Sequence, residues 1–198
     1  IRVLGGETES YFLENVIDFS TGSSQSYAVL ATGEVVAWGF NFYGQLGNGK
    51  TENSTVPVYV KKKDGFRLTN IKRVVAGNYH VYALSNDGKV WAWGANSSYQ
   101  LANRTNQNQK YAVEVLNNSL VHLSGIKQVA AGGQFGLFLT NDGRVLGAGA
   151  YMGTTKTAEN TYYNLRSTVQ PVTGGETGNE FLENIVGISA GYNHSIEI

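Results

Sequence analysis

The chain has 198 residues, enough for one or two domains, with 15 basic and 15 acidic side chains and no cysteine. A net charge near zero removes the long-range attraction on which nucleic-acid binding relies, and the missing thiols exclude disulfides and thiolate chemistry. No apolar run approaches the roughly 20 residues that span a bilayer, and 12% aromatic against 15% charged residues marks a folded chain.

No secretory leader is visible, and a start at Ile1 in place of Met is expected of a mature or excised piece. The opening stretch, Ile1 to Leu4, aligns with Gln170 to Thr173 and reads as a strand. "TGEVVAWGFN" at 32–41 is a turn followed by an alternating strand; "NDGKVWAWGAN" at 86–96 and "NDGRVLGAGAY" at 141–151 repeat it. Their turn glycines, Gly33, Gly88 and Gly143, recur every 55 residues. Gly39, Gly94 and Gly149 keep the same period, and Gly22, Gly77, Gly132 and Gly191 are spaced 55, 55 and 59. Three sets of anchors in one register establish an internal repeat.

The middle copy shows what each part does. "IKRVVAG" (71–77) is a first strand and "HVYALS" (80–85) a second. Asn-Asp-Gly then closes a tight hairpin, because glycine supplies a positive φ without a steric penalty. "KVWAWG" (89–94) is a third strand, and "YAVEVL" (111–116), after a long polar loop, is a fourth. Apolar side chains on both faces of the inner strands require cover on both sides, as in sheets stacked on neighbouring copies. A four-stranded unit of this length is the mark of a β-propeller blade. The expected fold is therefore all-β: a propeller segment of four-stranded antiparallel blades, with three full repeats and partial blades at both ends. The expected units are a partial blade 1–15, blades 16–70, 71–125 and 126–184, and a partial blade 185–198.

The stretches "IKRVVAGNYHVYALSNDGKVWAWGAN" and "WGFNFYGQLGNGKTENSTVPVYV" (38–60) resemble the regulator-of-chromosome-condensation repeat family. The third copy departs from the pattern, with Gly147, Ala148 and Gly149 in place of the tryptophan run and no Gln-Leu-Gly in "YMGTTKTAEN". The tandem "AWG" wording is closer to bacterial extracellular members, which implies an extracellular or cell-surface location, with the cytoplasm as the alternative. The resemblance implies a ring of about seven blades. The chain is then part of a longer propeller, or its open blade edges pair with a second copy of itself.

Antiparallel order places the first-to-second and third-to-fourth connections on one rim. Phe42, Tyr43, Asn78, Tyr79, Tyr99, Gln134, Phe135, Tyr151 and Tyr192 are the candidate binding residues there, aromatics and amides held on loops by a rigid scaffold. Ser98, Met152 and Asn193 lie on the same loops. Trp38, Trp91 and Trp93 are expected in the core. His80 and His194 share one repeat position with Gln25 and Phe135, so a core histidine is expected in place of a metal ligand or base. No catalytic motif is present, and neither cofactor nor metal is expected. The basic run "KKKDGFR" (61–67) is expected on the opposite rim, and five glycosylation sequons fall at Asn53, Asn96, Asn103, Asn117 and Asn193. The functional expectation is a non-enzymatic scaffold that binds another protein through the loop rim, nucleic acid being disfavoured. The alternatives are guanine-nucleotide exchange with chromatin docking, and a glycan-binding or structural cell-surface module.

Overall fold

A computed structural model describes residues 2–150, 166–174 and 180–198. The repeat sets three four-stranded antiparallel sheets. The first holds β1 (Val16–Thr21), β2 (Gln25–Leu30), β3 (Val35–Gly39) and β4 (Ser54–Tyr59), and the second β5 (Ile71–Ala76), β6 (His80–Ser85), β7 (Val90–Gly94) and β8 (Gln109–Glu114). The third holds β9 (Ile126–Ala131), β10 (Phe135–Thr140), β11 (Val145–Gly149) and β12 (Arg166–Pro171). Short pairs follow, β13 (Thr173–Gly174) with β14 (Glu180–Phe181) and β15 (Ile188–Ala190) with β16 (Ser195–Glu197).

The first strands of successive sheets lie against one another, β1 on β5, β5 on β9 and β9 on β15, so each sheet is a blade facing a common axis. Side chains stitch these inner strands together. Asp18 accepts the Val74 amide at 2.8 Å, and Ser20 accepts the Ala76 amide at 3.0 Å. Gln128 donates to the Ile188 carbonyl at 2.8 Å. Between the blades lie two large cores, one around Tyr27, Leu46, Val81 and Trp93 and one around Tyr82, Leu101, Phe138 and Val169.

The hairpin glycines sit where one blade meets the next. The carbonyls of Gly33, Gly88 and Gly143 accept the amides of Ile71, Ile126 and Ile185 at 3.0, 3.1 and 2.9 Å. The Gly39 set ends each third strand at an irregularity in the ladder to the fourth. At Gly39 (φ +110°) an added Cβ would meet the Ser24 carbonyl oxygen at 2.4 Å, and at Gly94 and Gly149 the equivalent contact is also 2.4 Å. The Gly22 set leaves room for a side chain three residues on: Gln25, His80, Phe135 or His194.

Three placements differ from the sequence expectation. Phe135 is not a rim residue: it opens β10 in register with Gln25 and His80, points inward, and is 2% exposed. His194 is exposed, because the β15–β16 pair has a blade against one face only among the described residues. Trp93 is fully buried, but Trp38 and Trp91 are half-buried; Trp38 packs on Ala28, Leu30, Val36 and Tyr59 of the first blade.

Candidate binding rim

The rim is built from the β3–β4 and β7–β8 loops, and both loops are folded around a buried asparagine. Asn41 accepts the Leu46 amide at 2.8 Å and donates to the carbonyls of Lys50 and Glu52 at 3.1 and 2.9 Å. Asn96, 55 residues on, accepts the Leu101 amide at 2.9 Å and donates to Thr105 and Gln107 at 2.6 and 3.1 Å. Both are fully buried, so the sequon at Asn96 offers no nitrogen to a glycan in the folded chain.

Gln45 ties the first of these loops to the core. Its carbonyl accepts both the Tyr27 hydroxyl and the Trp93 indole N–H at 2.8 Å, and its side-chain oxygen accepts the Tyr43 amide at 2.8 Å. The second blade's tryptophan therefore supports the first blade's loop, and the loop's glutamine fixes the backbone of an aromatic rim residue.

Above this support four rings form one cluster across two blades. Tyr43 and Tyr79 have centroids 5.2 Å apart; Phe42 meets Tyr43 edge-on at 5.2 Å; Phe40 lies 6.0 Å from Tyr79 and 6.4 Å from Phe42. Phe42 is 68% exposed, while Phe40, Tyr43 and Tyr79 are half-buried. Sequence reasoning missed Phe40, whose side of the chain is set by the turn at Gly39 immediately before it.

Two cavities flank the cluster and share Tyr43 and Asn108. The outer, about 380 Å³, is lined by Phe42, Tyr111, Lys63 and Lys110 among others. The inner, about 220 Å³, holds Tyr79, Asn78, Gln100 and Gln134. Asn78 also lines a third, of about 310 Å³, at the mouth of the central axis, where Tyr192 is found apart from the ring cluster. Tyr99 lines none of these three cavities and holds a left-handed backbone at φ +59°. Tyr151 and Met152 lie outside the described residues. The basic run does not keep to the far rim: the Lys61 carbonyl accepts the Ala112 amide at 2.9 Å, and Lys63 reaches the outer cavity beside Phe42.

Burial rules the titration of the groups beneath. The His80 Nε2 lies 3.3 Å from the Phe135 carbonyl, to which it donates, and Nδ1 is buried without a partner among the described residues. Desolvation lowers its pKa to about 4, against the weaker opposing effect of that hydrogen bond. Burial likewise raises the hydroxyls of Tyr27 and Tyr82. Among the described residues no group of three or more His, Asp or Glu could hold a metal ion.

The model of the regulator of chromosome condensation (RCC1) repeat matches residues 32–84 and 87–139, and a second model of that repeat matches 16–45 and 71–100. E3 ubiquitin-protein ligase HERC2 of Mus musculus is 32% identical over 132 residues, covering 67% of this chain and 3% of the ligase. Human WBSCR16 superposes with a TM-score of 0.73 at 20% identity, covering 97% of this chain and 50% of that one. Prp20p from Saccharomyces cerevisiae, which has binding properties to Gsp1p and histones, gives 0.73 at 20% identity, covering 96% and 44%. This chain thus spans half or less of the length of these relatives, and the two structural likenesses show the fold. With four-stranded blades in the repeat register and family matches over both central copies, the chain belongs to the RCC1 repeat family.

Proposed function

We propose that this chain is a non-enzymatic scaffold that binds another protein through the aromatic rim, from an extracellular or cell-surface location. The observation that carries the reading is the four-ring cluster spanning two blades, with Phe42 68% exposed over a loop pinned by Gln45. Aromatic side chains clustered over a rigid support are the usual anchors of protein interfaces. The test places a photo-reactive residue at position 42 and, separately, at position 142 in the hairpin of the opposite rim. Crosslinking to another protein from position 42 and not from position 142 is expected; the reverse pattern contradicts the reading. The tandem "AWG" resemblance supports the location, which fractionation of the source cells checks.

The likeness to Prp20p favours a second reading, exchange on a small GTPase with histone docking. A nucleotide-release assay with a small GTPase separates the two, since a plain scaffold leaves the release rate unchanged.

A further inference from the structure

The chemistry of the two cavities beside the ring cluster points to the kind of segment they hold. Four carboxamides line the inner cavity, and in each the oxygen already accepts one hydrogen bond. Asn78 Oδ1 accepts the Ser23 hydroxyl; Gln100 Oε1 accepts the Ser98 amide at 2.9 Å. Asn108 Oδ1 accepts the Asn96 amide at 2.9 Å, and Gln134 Oε1 accepts the Ser98 hydroxyl at 3.1 Å. None of their NH2 groups has a partner among the described residues. The amides therefore present free NH2 donors to the inner cavity, while each oxygen has one of its two lone pairs already used. The outer cavity adds positive charge: its charged residues are Lys63 and Lys110, both exposed and neither in an ion pair among the described residues, and its Gln109 spends its NH2 on the Gln107 carbonyl at 3.0 Å.

A ligand that suits this groove brings acceptors for the free amide protons and negative charge for the two lysines. A neutral glycan can meet the amide donors through its hydroxyls but brings no counter-charge to Lys63 and Lys110. Successive main-chain carbonyls of an extended peptide supply acceptors in series, and a carboxylate supplies the charge that the two lysines lack. An aliphatic or aromatic side chain covers Phe42 and Tyr43. Cavities of this size admit a few side chains and exclude a folded domain.

We infer that the rim groove binds an extended acidic segment of a partner protein, its carbonyls on the amides of Asn78, Asn108 and Gln134, an apolar side chain on Phe42 and Tyr43, and a carboxylate at Lys63 and Lys110. The inference rests on the rim as the binding surface and adds the chemistry of what binds there.

The experiment pans a phage library of random linear dodecapeptides against the folded chain and measures selected synthetic peptides by fluorescence anisotropy. Enriched peptides should pair an apolar residue with Asp or Glu a few positions away. Lys63→Glu with Lys110→Glu should weaken them by about tenfold or more, and peptides with Lys in place of the acidic residue should regain binding to that variant. Selected peptides without acidic enrichment, or an affinity indifferent to the double charge reversal, overturn the inference. So does a library that enriches nothing, and so does a neutral oligosaccharide that competes with the peptides as well as they compete with one another. If crosslinking from position 42 persists in any of these cases, the rim reading stands and this inference alone fails. Acidic peptides that bind regardless of Phe42→Ala and Tyr43→Ala overturn both.

Discussion

Gln45 connects the core of the molecule to its surface. One residue receives Tyr27 and Trp93 from below and holds the backbone of Tyr43 above. Gln45→Ala keeps the carbonyl but frees the Tyr43 amide, and is expected to cost about 1–3 kcal/mol while weakening partner binding more than Tyr99→Ala does; chemical denaturation and a binding titration read the two effects. His80 gives a pH signature. Between its ordinary pKa of 6.5 and the folded value of about 4, the unfolded chain takes up a proton that the folded chain refuses. Stability from this group is therefore full above the unfolded value and is lost as pH falls through that window. His80→Gln, the residue that the first blade carries at this position as Gln25, should flatten that part of the stability curve, measured by urea unfolding at steps of pH.

At the scale of the blade, the glycine anchors were legible because the backbone itself demands them. Gly88 sits at φ +76°, and a Cβ there would meet the Ile126 amide nitrogen at 3.3 Å. Gly88→Val should lower stability by about 2 kcal/mol or more, read as a drop in the unfolding midpoint, since a β-branched residue resists this conformation. The second copy of the rim loop keeps the first copy's left-handed backbone without its glycines. Gly44, Gly47 and Gly49 (φ +77°, +64° and +87°) become Tyr99, Ala102 and Arg104 (φ +59°, +47° and +66°). Arg104→Gly relieves one of these at an exposed position and should stabilise by roughly 0.5–1 kcal/mol, after allowing for the looser unfolded chain. A related anchor escaped sequence reading altogether: Asn15, Asn70, Gly125 and Asn184 share a left-handed turn before each new unit, hidden because asparagine and glycine alternate there.

Across the whole molecule, period and strand order could be read from the chain because each blade repeats the same covalent solution. What joins blades could not. Phe135 was misplaced by one residue, the distance that sends a strand side chain to the other face. Lys63 joined the rim because its loop turns back along β8, which no local pattern records. The direction in which Asn78 and Gln134 present their amides depends on Ser23 and Ser98 of the preceding blades, so their place in the groove emerges only once the blades are stacked. The outward face of the first blade, with Ile17 and Phe19 57% and 76% exposed, is the apolar surface expected to take further blades or a second copy. Sedimentation of the isolated chain, with mass rising with concentration and falling on Phe19→Glu, checks this proposal.

The central claim is that the ring cluster serves binding and not folding. Phe42→Ala with Tyr43→Ala tests it directly, with affinity for the protein crosslinked from position 42 and the thermal midpoint measured on one preparation. The account predicts an affinity loss of about tenfold or more with the midpoint held within about 2 °C. An unchanged affinity, or a midpoint that falls by several degrees in step with the affinity, contradicts it.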